Sequence, residues 1–394
     1  MRLDWRAARK SFGAALIGAG LAWGISGQVS GGDISRALAA TRVDPAQDSS
    51  PSDVPNFQNA KLETRAIRGP IGEEIERWAA SARKAQWLGY AVSAVKGQRS
   101  LCCSDYGNSS QGGCAACSLE DRRSAVSINS SDERTGRVRL ESVSEMAVMY
   151  RAENGKIGKI RIFSLGCAAD AGGLSVLWFE GVAASESVKV LERFVISDGA
   201  PGEGHDSLSK SALTALALDD DPSADRAMES FVSPNRPEWL RRETAFWLGE
   251  ARGAEGLRAL EKMAKDDPSP HVRDQVAFAL SVSAEPEALS EMIRMAREDP
   301  DGHVRGQALF WLAEKAGKKA ESTITGAIQN DPDTEVKKKA VFALSQMAHD
   351  EGVPKLIEVA TTNRNPEVRK QAMFWLGQSN DPRALAFFEK VLAQ

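Results

Sequence analysis

Five segments of this chain align without gaps at a spacing of 32 residues: LRRETAFWLGE from Leu240, VRDQVAFALSV from Val272, VRGQALFWLAE from Val304, VKKKAVFALSQ from Val336 and VRKQAMFWLGQ from Val368. A degenerate copy, LSKSALTALAL, begins 32 residues earlier at Leu208. The second part of each unit keeps the same phase, so that Leu260, Met292, Ile324, Leu356 and Phe388 are equivalent. A fixed period of this length restricts the fold severely, because such units cannot bury their apolar faces alone and must stack to share a core. Each unit contains two apolar-periodic segments, which predicts a helical hairpin. Asp267-Pro268, Asp299-Pro300 and Asp331-Pro332 mark the breaks, since proline disfavours helix in the residue before it. Val272, Val276, Ala279 and Leu280 fall on one helical stripe and form the expected seam. Residues 205–394 are thus expected to form an α-solenoid of six 32-residue units.

The pattern D-P-x-x-x-V-R-x-x-A-x-x-x-L, seen from Asp299 to Leu312, resembles HEAT repeats of the phycobilin-lyase type over nearly half the chain. The resemblance implies a structural ladder in which an Asp at the turn and a basic residue six positions later tie units together. It assigns Asp267 with Arg273, Asp299 with Arg305, and Asp331 with Lys337. Asn235 before Arg241 and Asn363 before Arg369 depart from the pattern, so the ladder is expected to weaken there. Some members of that group are lyases or isomerases that handle a cofactor, which supplies an enzymatic alternative to a binding scaffold.

Two further rows run through the units. At one position the residues alternate as Ala215, Trp247, Ala279, Trp311, Ala343 and Trp375, a 64-residue super-period that suggests large meeting small across the stack. The preceding position is Phe in five consecutive units: Phe246, Phe278, Phe310, Phe342 and Phe374. It lies roughly 200° from the middle of the buried stripe. An apolar row there must meet either a second packing face or a partner, and the chain's own N-terminal domain is one such partner.

The rest of the chain changes character. Arg2, Arg6, Arg9 and Lys10 precede an apolar run from Phe12 to Ile25. That run is shorter than the roughly 20 residues of a membrane span and suits a signal peptide over residues 1–26, cleaved after Gly24 or Ser26. The expected location is periplasmic or extracellular, with membrane contact only through this segment if it stays uncleaved. Residues 27–64 are poor in large apolar side chains and read as a disordered tether. Residues 65–197 read as an α+β domain on an antiparallel sheet. Its elements are a helix from Ile71 to Lys84, strands at Trp87–Val95, Arg137–Leu140 and Leu174–Phe179, and a helix capped by Ser185. Asn154-Gly155 between two apolar runs predicts a tight hairpin, because primed turns need positive φ. Residues 198–204 form a linker.

Cys102, Cys103, Cys114 and Cys117 crowd one loop, and Cys167 follows a strand. In an exported protein this clustering favours disulfides, with a zinc site and a redox-active Cys114-Ala-Ala-Cys117 as alternatives. The histidines, His205, His271, His303 and His349, form no His-Glu pair of the kind that iron-dependent HEAT-repeat hydroxylases use. No phosphate loop or nucleophile–base motif occurs, and no cofactor is expected. Asp219-Asp-Asp221 reads as a solvated, capping turn. Residues 205–394 hold 25 Lys and Arg against 31 Asp and Glu, and the whole chain has net charge -4. That balance offers nothing for phosphate neutralisation, so nucleic acid is not expected as a partner. The sequence reads as an exported, non-catalytic protein–protein scaffold, with a lyase-like enzyme or a thiol or metal sensor as alternatives.

Overall fold

The computed structural model describes residues 54–96, 100–103, 117–120, 126–129, 145–197 and 207–393. The segment read as a signal peptide, most of the expected tether, Cys114, Arg137–Leu140, the expected linker and His205 lie outside the described residues.

The N-terminal part runs β1 (Phe57–Gln58), β2 (Lys61–Ala66), α1 (Ile71–Ser81), β3 (Gln86–Ser93), β4 (Ser100–Cys103), β5 (Cys117–Ser118) and β6 (Val126–Asn129). It continues with β7 (Glu145–Glu153), β8 (Lys156–Ser164), β9 (Ala169–Asp170), β10 (Ser175–Glu180) and α2 (Ala184–Ser197). The main sheet has the order β2-β10-β3-β7-β8. Its β3-β7-β8 half is antiparallel as expected, and Asn154 (φ 52°) with Gly155 (φ 76°) makes the hairpin turn. The other half differs from the expectation, because β10 pairs in parallel with both β2 and β3. The crossover helix α1 joins β2 to β3 and leaves a slot between them that β10 fills, as parallel strands require a long connection. Strands begin at Phe57, inside the stretch read as tether, and Ser185 lies within the first turn of α2 rather than at its cap.

Alternation along the strands divides the core. Leu88, Tyr90, Val148, Tyr150, Ile160 and Ile162 face the helices, while Trp87, Ala147, Met149, Phe163 and Trp178 face the opposite side with the small β1-β9-β5 sheet.

The C-terminal part comprises six helical hairpins, among the described residues, as the period requires. They are α3 (Leu208–Leu218) with α4 (Pro222–Phe231), α5 (Glu238–Ala251) with α6 (Gly253–Asp266), and α7 (Pro270–Val282) with α8 (Ala288–Glu298). Then come α9 (Gly302–Ala316) with α10 (Glu321–Asn330), α11 (Thr334–Gln346) with α12 (His349–Thr362), and α13 (Pro366–Gln378) with α14 (Pro382–Leu392). The turns supply their own stops and starts. Asp301, Asp333 and Asn365 accept backbone N–H groups at the heads of α9, α11 and α13. First helices approach one another closely, and a Cβ at Gly249 would collide with the backbone carbonyl of Ala279.

The two parts are not separate bodies on a tether. One continuous apolar core runs from Ile71 in α1 to Ala384 in α14. The end of β3 also pairs with the α3–α4 turn: Val95 N donates to Leu218 O at 2.9 Å, and Asp220 N donates to Ser93 O at 3.0 Å. Among the described residues, the N-terminal module therefore docks on the first hairpin.

Candidate functional site

A buried ionic spine fixes the register of the units. Arg241 Nε lies 2.8 Å from Asp267 Oδ2, Arg273 Nε 2.8 Å from Asp299 Oδ2, and Arg305 Nε 2.8 Å from Asp331 Oδ2. Each pair is bidentate through Nη2, a geometry suited to the planar guanidinium. This corrects the expected pairing, because each Arg reaches the Asp of the following turn, 26 residues on. Its own turn, six residues back, contributes only a backbone carbonyl: Arg273 Nη1 donates to Asp267 O and Arg305 Nη1 to Asp299 O. Arg241, expected to be weakly held, is fully engaged, while Lys337 reaches only the carbonyl of Gln329 and Arg369 only carbonyls of its own turn. Bonding to Asp299 and Asp331 raises the pKa of Arg273 and Arg305, so both stay charged. The spine is structural.

On the first helices the Phe and Trp rows merge into one ribbon of eight rings. Trp247 meets Phe246 at 5.0 Å, and Phe246 stacks on Phe278 at 6.0 Å with 12° between planes. Phe278 meets Trp311 at 4.7 Å, and Trp311 meets Phe310 at 4.8 Å. Phe310 stacks parallel on Phe342 at 5.7 Å, Phe342 meets Trp375 at 4.9 Å, and Trp375 meets Phe374 at 5.0 Å. These separations fall in the attractive range for aromatic pairs. The Trp–Ala alternation acquires a reason here: Trp311 and Trp375 lie over the Phe of the preceding Ala-bearing unit, where Ala279 and Ala343 are fully buried. The ribbon is not fully interior. Phe246, Phe278, Phe310 and Phe342 are half-buried, and Phe374 is 53% exposed.

A polar row lies one turn away along the same helices. Gln275, Gln307 and Gln371 are half-buried. Lys339 lies over Gly306, where a side chain is missing, and its Nζ sits 2.8 Å from His303 Nδ1. His303 Nε2 is in turn 3.8 Å from Asp274 Oδ2. Burial raises the pKa of Asp274 and lowers that of Lys339. His271 is exposed, and among the described residues no group of three or more His, Cys, Asp or Glu could hold a metal ion.

A cleft of about 740 Å³ opens between α4 and α6. Leu248, Val232, Ala259 and Met263 form its apolar lining, and Arg226, Glu229, Arg258 and Lys262 stand exposed around it.

Cys117 is disulfide-bonded and buried. Cys167, expected among the disulfide candidates, is 2% exposed and packs near Trp87 and Phe163. Of Cys102 and Cys103 only the backbone is described, in β4 paired antiparallel to β6.

The sequence reading missed Asp219. It is 0% exposed rather than solvated, at the joint between module and solenoid. Its Oδ1 accepts from Asp221 N at 3.1 Å, and its Oδ2 has no hydrogen-bond partner. Tyr90 and Tyr150, whose hydroxyls are 2.9 Å apart, and Ser187 complete the node. Burial pushes the Asp219 carboxyl up to about 7 and both tyrosines above their ordinary value. Asp221, by contrast, caps α4 through Ser223 N, as a capping turn should.

Stacked hairpins with a buried Arg–Asp spine define a helical-repeat solenoid. A family profile described as HEAT repeats matches residues 226–313 and 321–394. Residues 226–394 therefore carry HEAT repeats, with the N-terminal module outside the match. No curated protein matches the chain. Among solved structures, human deoxyhypusine hydroxylase in complex with glycerol is similar at 18% identity and a TM-score of 0.29, over 52% of this chain and 90% of that one. The complex of CpcE and CpcF of phycocyanin lyase from Nostoc is similar at 16% identity and a TM-score of 0.28, over 50% and 77%. An Escherichia coli structural-genomics target is similar at 19% identity and a TM-score of 0.26, over 53% and 89%. Likeness at this level carries no argument about activity.

Proposed function

We propose that this protein is a non-catalytic scaffold that holds another protein along the aromatic ribbon. The observation that carries the reading is the ribbon itself: eight rings over five units, continuous, pre-stacked and still partly open to solvent. Rigid aromatic surfaces suit binding because their side chains lose little conformational freedom on contact. Among the described residues the N-terminal module packs on α3, which leaves the ribbon open to a partner. Replacing Phe310 and Phe342 by Ser together tests this. The expected result is at least a tenfold loss of partner recovered by cross-linking and affinity capture, with the melting cooperativity kept. Collapse of the fold in this variant would assign the ribbon to the core and end the proposal.

The export of the protein belongs to the same reading. It rests on the basic start and apolar run of residues 2–25, and the disulfide at Cys117 supports it, because disulfides persist in oxidising compartments. A reporter active only outside the cytoplasm, fused after residue 60, is expected to be active; an inactive, soluble fusion counts against export.

One observation favours an enzymatic alternative, the cleft between α4 and α6 with its several ionisable groups. These groups stand exposed, and Arg258 is paired with Glu255 on the same helix. Exposed, mutually paired charges are ordinary surface chemistry, so the scaffold reading is preferred.

A further inference from the structure

The strand β2 is unlike every other strand of the main sheet. All six of its residues, Lys61 to Ala66, are exposed, and Leu62 is 45% exposed. Among the described residues its only ladder is the parallel one to β10. Parallel strands are normally covered on both faces, so a bare parallel edge is unusual. An open edge also presents unpaired backbone groups to any extended chain.

The backbone fixes which groups point outward. Lys61 N donates to Leu174 O at 3.2 Å, and Ile67 N donates to Glu180 O at 3.0 Å. Odd-numbered residues of β2 therefore turn their N–H and C=O toward β10. Leu62, Thr64 and Ala66 turn theirs to the free edge. The side chains of Lys61, Glu63 and Arg65 share one face, and Arg65 contacts Glu63 at 2.6 Å within the strand, both side chains being exposed.

We propose that β2 is a homodimerisation edge, on which a second copy of this chain adds its own β2 antiparallel across a two-fold axis at Thr64. Only registers that oppose even-numbered residues can satisfy the outward groups. Charge then selects among them. Centring the axis on Glu63 opposes Glu63 to itself and Lys61 to Arg65, and centring it on Arg65 opposes Arg65 to itself. Centring it on Thr64 opposes Glu63 to Arg65 twice and Leu62 to Ala66 twice. The Glu–Arg pairs then occupy non-hydrogen-bonded sites, where Cα atoms are about 4.5 Å apart and side chains interact most directly. A centre on Leu62 pairs Lys61 with Glu63 but uses less of the strand. Charges on an edge ordinarily deter pairing. Here the alternation deters the wrong registers and leaves a self-complementary one, as an isologous interface requires.

Sedimentation equilibrium of the full chain over a wide concentration range tests the proposal with three variants. The wild type is expected to shift from monomer toward dimer as concentration rises. Arg65→Glu turns two attractions into repulsions and is expected to weaken self-association roughly thirtyfold. The double variant Glu63→Arg with Arg65→Glu restores the complementary order and is expected to recover it. Thr64→Pro removes an N–H that points away from β10, so it spares the internal ladder and abolishes the dimer. A wild type that stays monomeric throughout, or a dimer indifferent to Arg65→Glu and Thr64→Pro, overturns the proposal.

Discussion

Replacing Asp219 by Asn should stabilise this protein, and only at the upper end of the pH range. In the unfolded chain the carboxyl titrates near 3.8, whereas at the joint it is pushed up to about 7. Burial is the largest cause; Ser187, the Asp221 backbone and the Arg252 charge favour ionisation but do not offset it. The folded state therefore holds its proton more tightly than the unfolded state. Below about pH 4 both states are protonated and Asp219 costs nothing. As pH rises from 4 to 7 the unfolded chain ionises first, and stability falls with it. The rise from 3.8 to about 7 corresponds to roughly 4 kcal/mol, lost progressively over that window and constant above it. Asn keeps the shape and the oxygen that accepts from Asp221, and it removes the charge. Its amide nitrogen replaces an oxygen that already lacks a partner, so little is lost in exchange. Chemical denaturation at pH 5 and pH 8.5 checks the reasoning. The variant should match the wild type to within about 1–2 kcal/mol at pH 5 and exceed it by about 2–4 kcal/mol at pH 8.5. Parallel pH profiles for the two proteins, or a variant weaker at both values, would refute the reasoning.

Two other substitutions probe the stacking of the units. Arg273→Ala leaves Asp299 buried with its cation gone, and a loss of about 3–5 kcal/mol is expected by denaturation, far beyond that of an exposed ion pair. Gly249→Ala forces a methyl group into the Ala279 carbonyl, which is backbone and cannot step aside; a loss of about 1–3 kcal/mol is expected from thermal unfolding.

The repeats were legible because their period is a property of the chain itself. Helix number, the Asp-Pro breaks and the Phe and Trp rows all follow from counting. What the period does not contain is which unit a side chain reaches. The Arg–Asp spine shows this: Arg273 lies six residues after Asp267 in sequence, yet its side chain crosses to Asp299 in the next turn. Strand β2 was missed for a different reason. Its residues KLETRA carry no apolar alternation, since neither face is buried, and alternation is the signal by which a strand is read. Asp219 was misread because three consecutive aspartates suggest water. The contrary signal was the run Leu216-Ala217-Leu218 just before it, all buried, but the burial itself comes from β3 of the other part.

The placement of the N-terminal module explains how the ribbon can remain available. Solenoid stability is a sum of unit and neighbour terms, so a terminal unit with an apolar outer face needs covering. Helix α3 is such a face: Ala212, Leu213, Ala215, Leu216, Ala217 and Leu218 are all buried. The module covers it with α2 and anchors it through the Ser93–Asp220 and Val95–Leu218 hydrogen bonds. The degenerate sequence of the first unit is then an adaptation to the module rather than to solvent. The ribbon starts one hairpin later, at Trp247 and Phe246, beyond the reach of α2 and β3 among the described residues. On the proposed reading, covering and recognition fall to different units. A change at the joint should alter the stability of the array, whereas a change of Phe310 or Phe342 should alter what it holds.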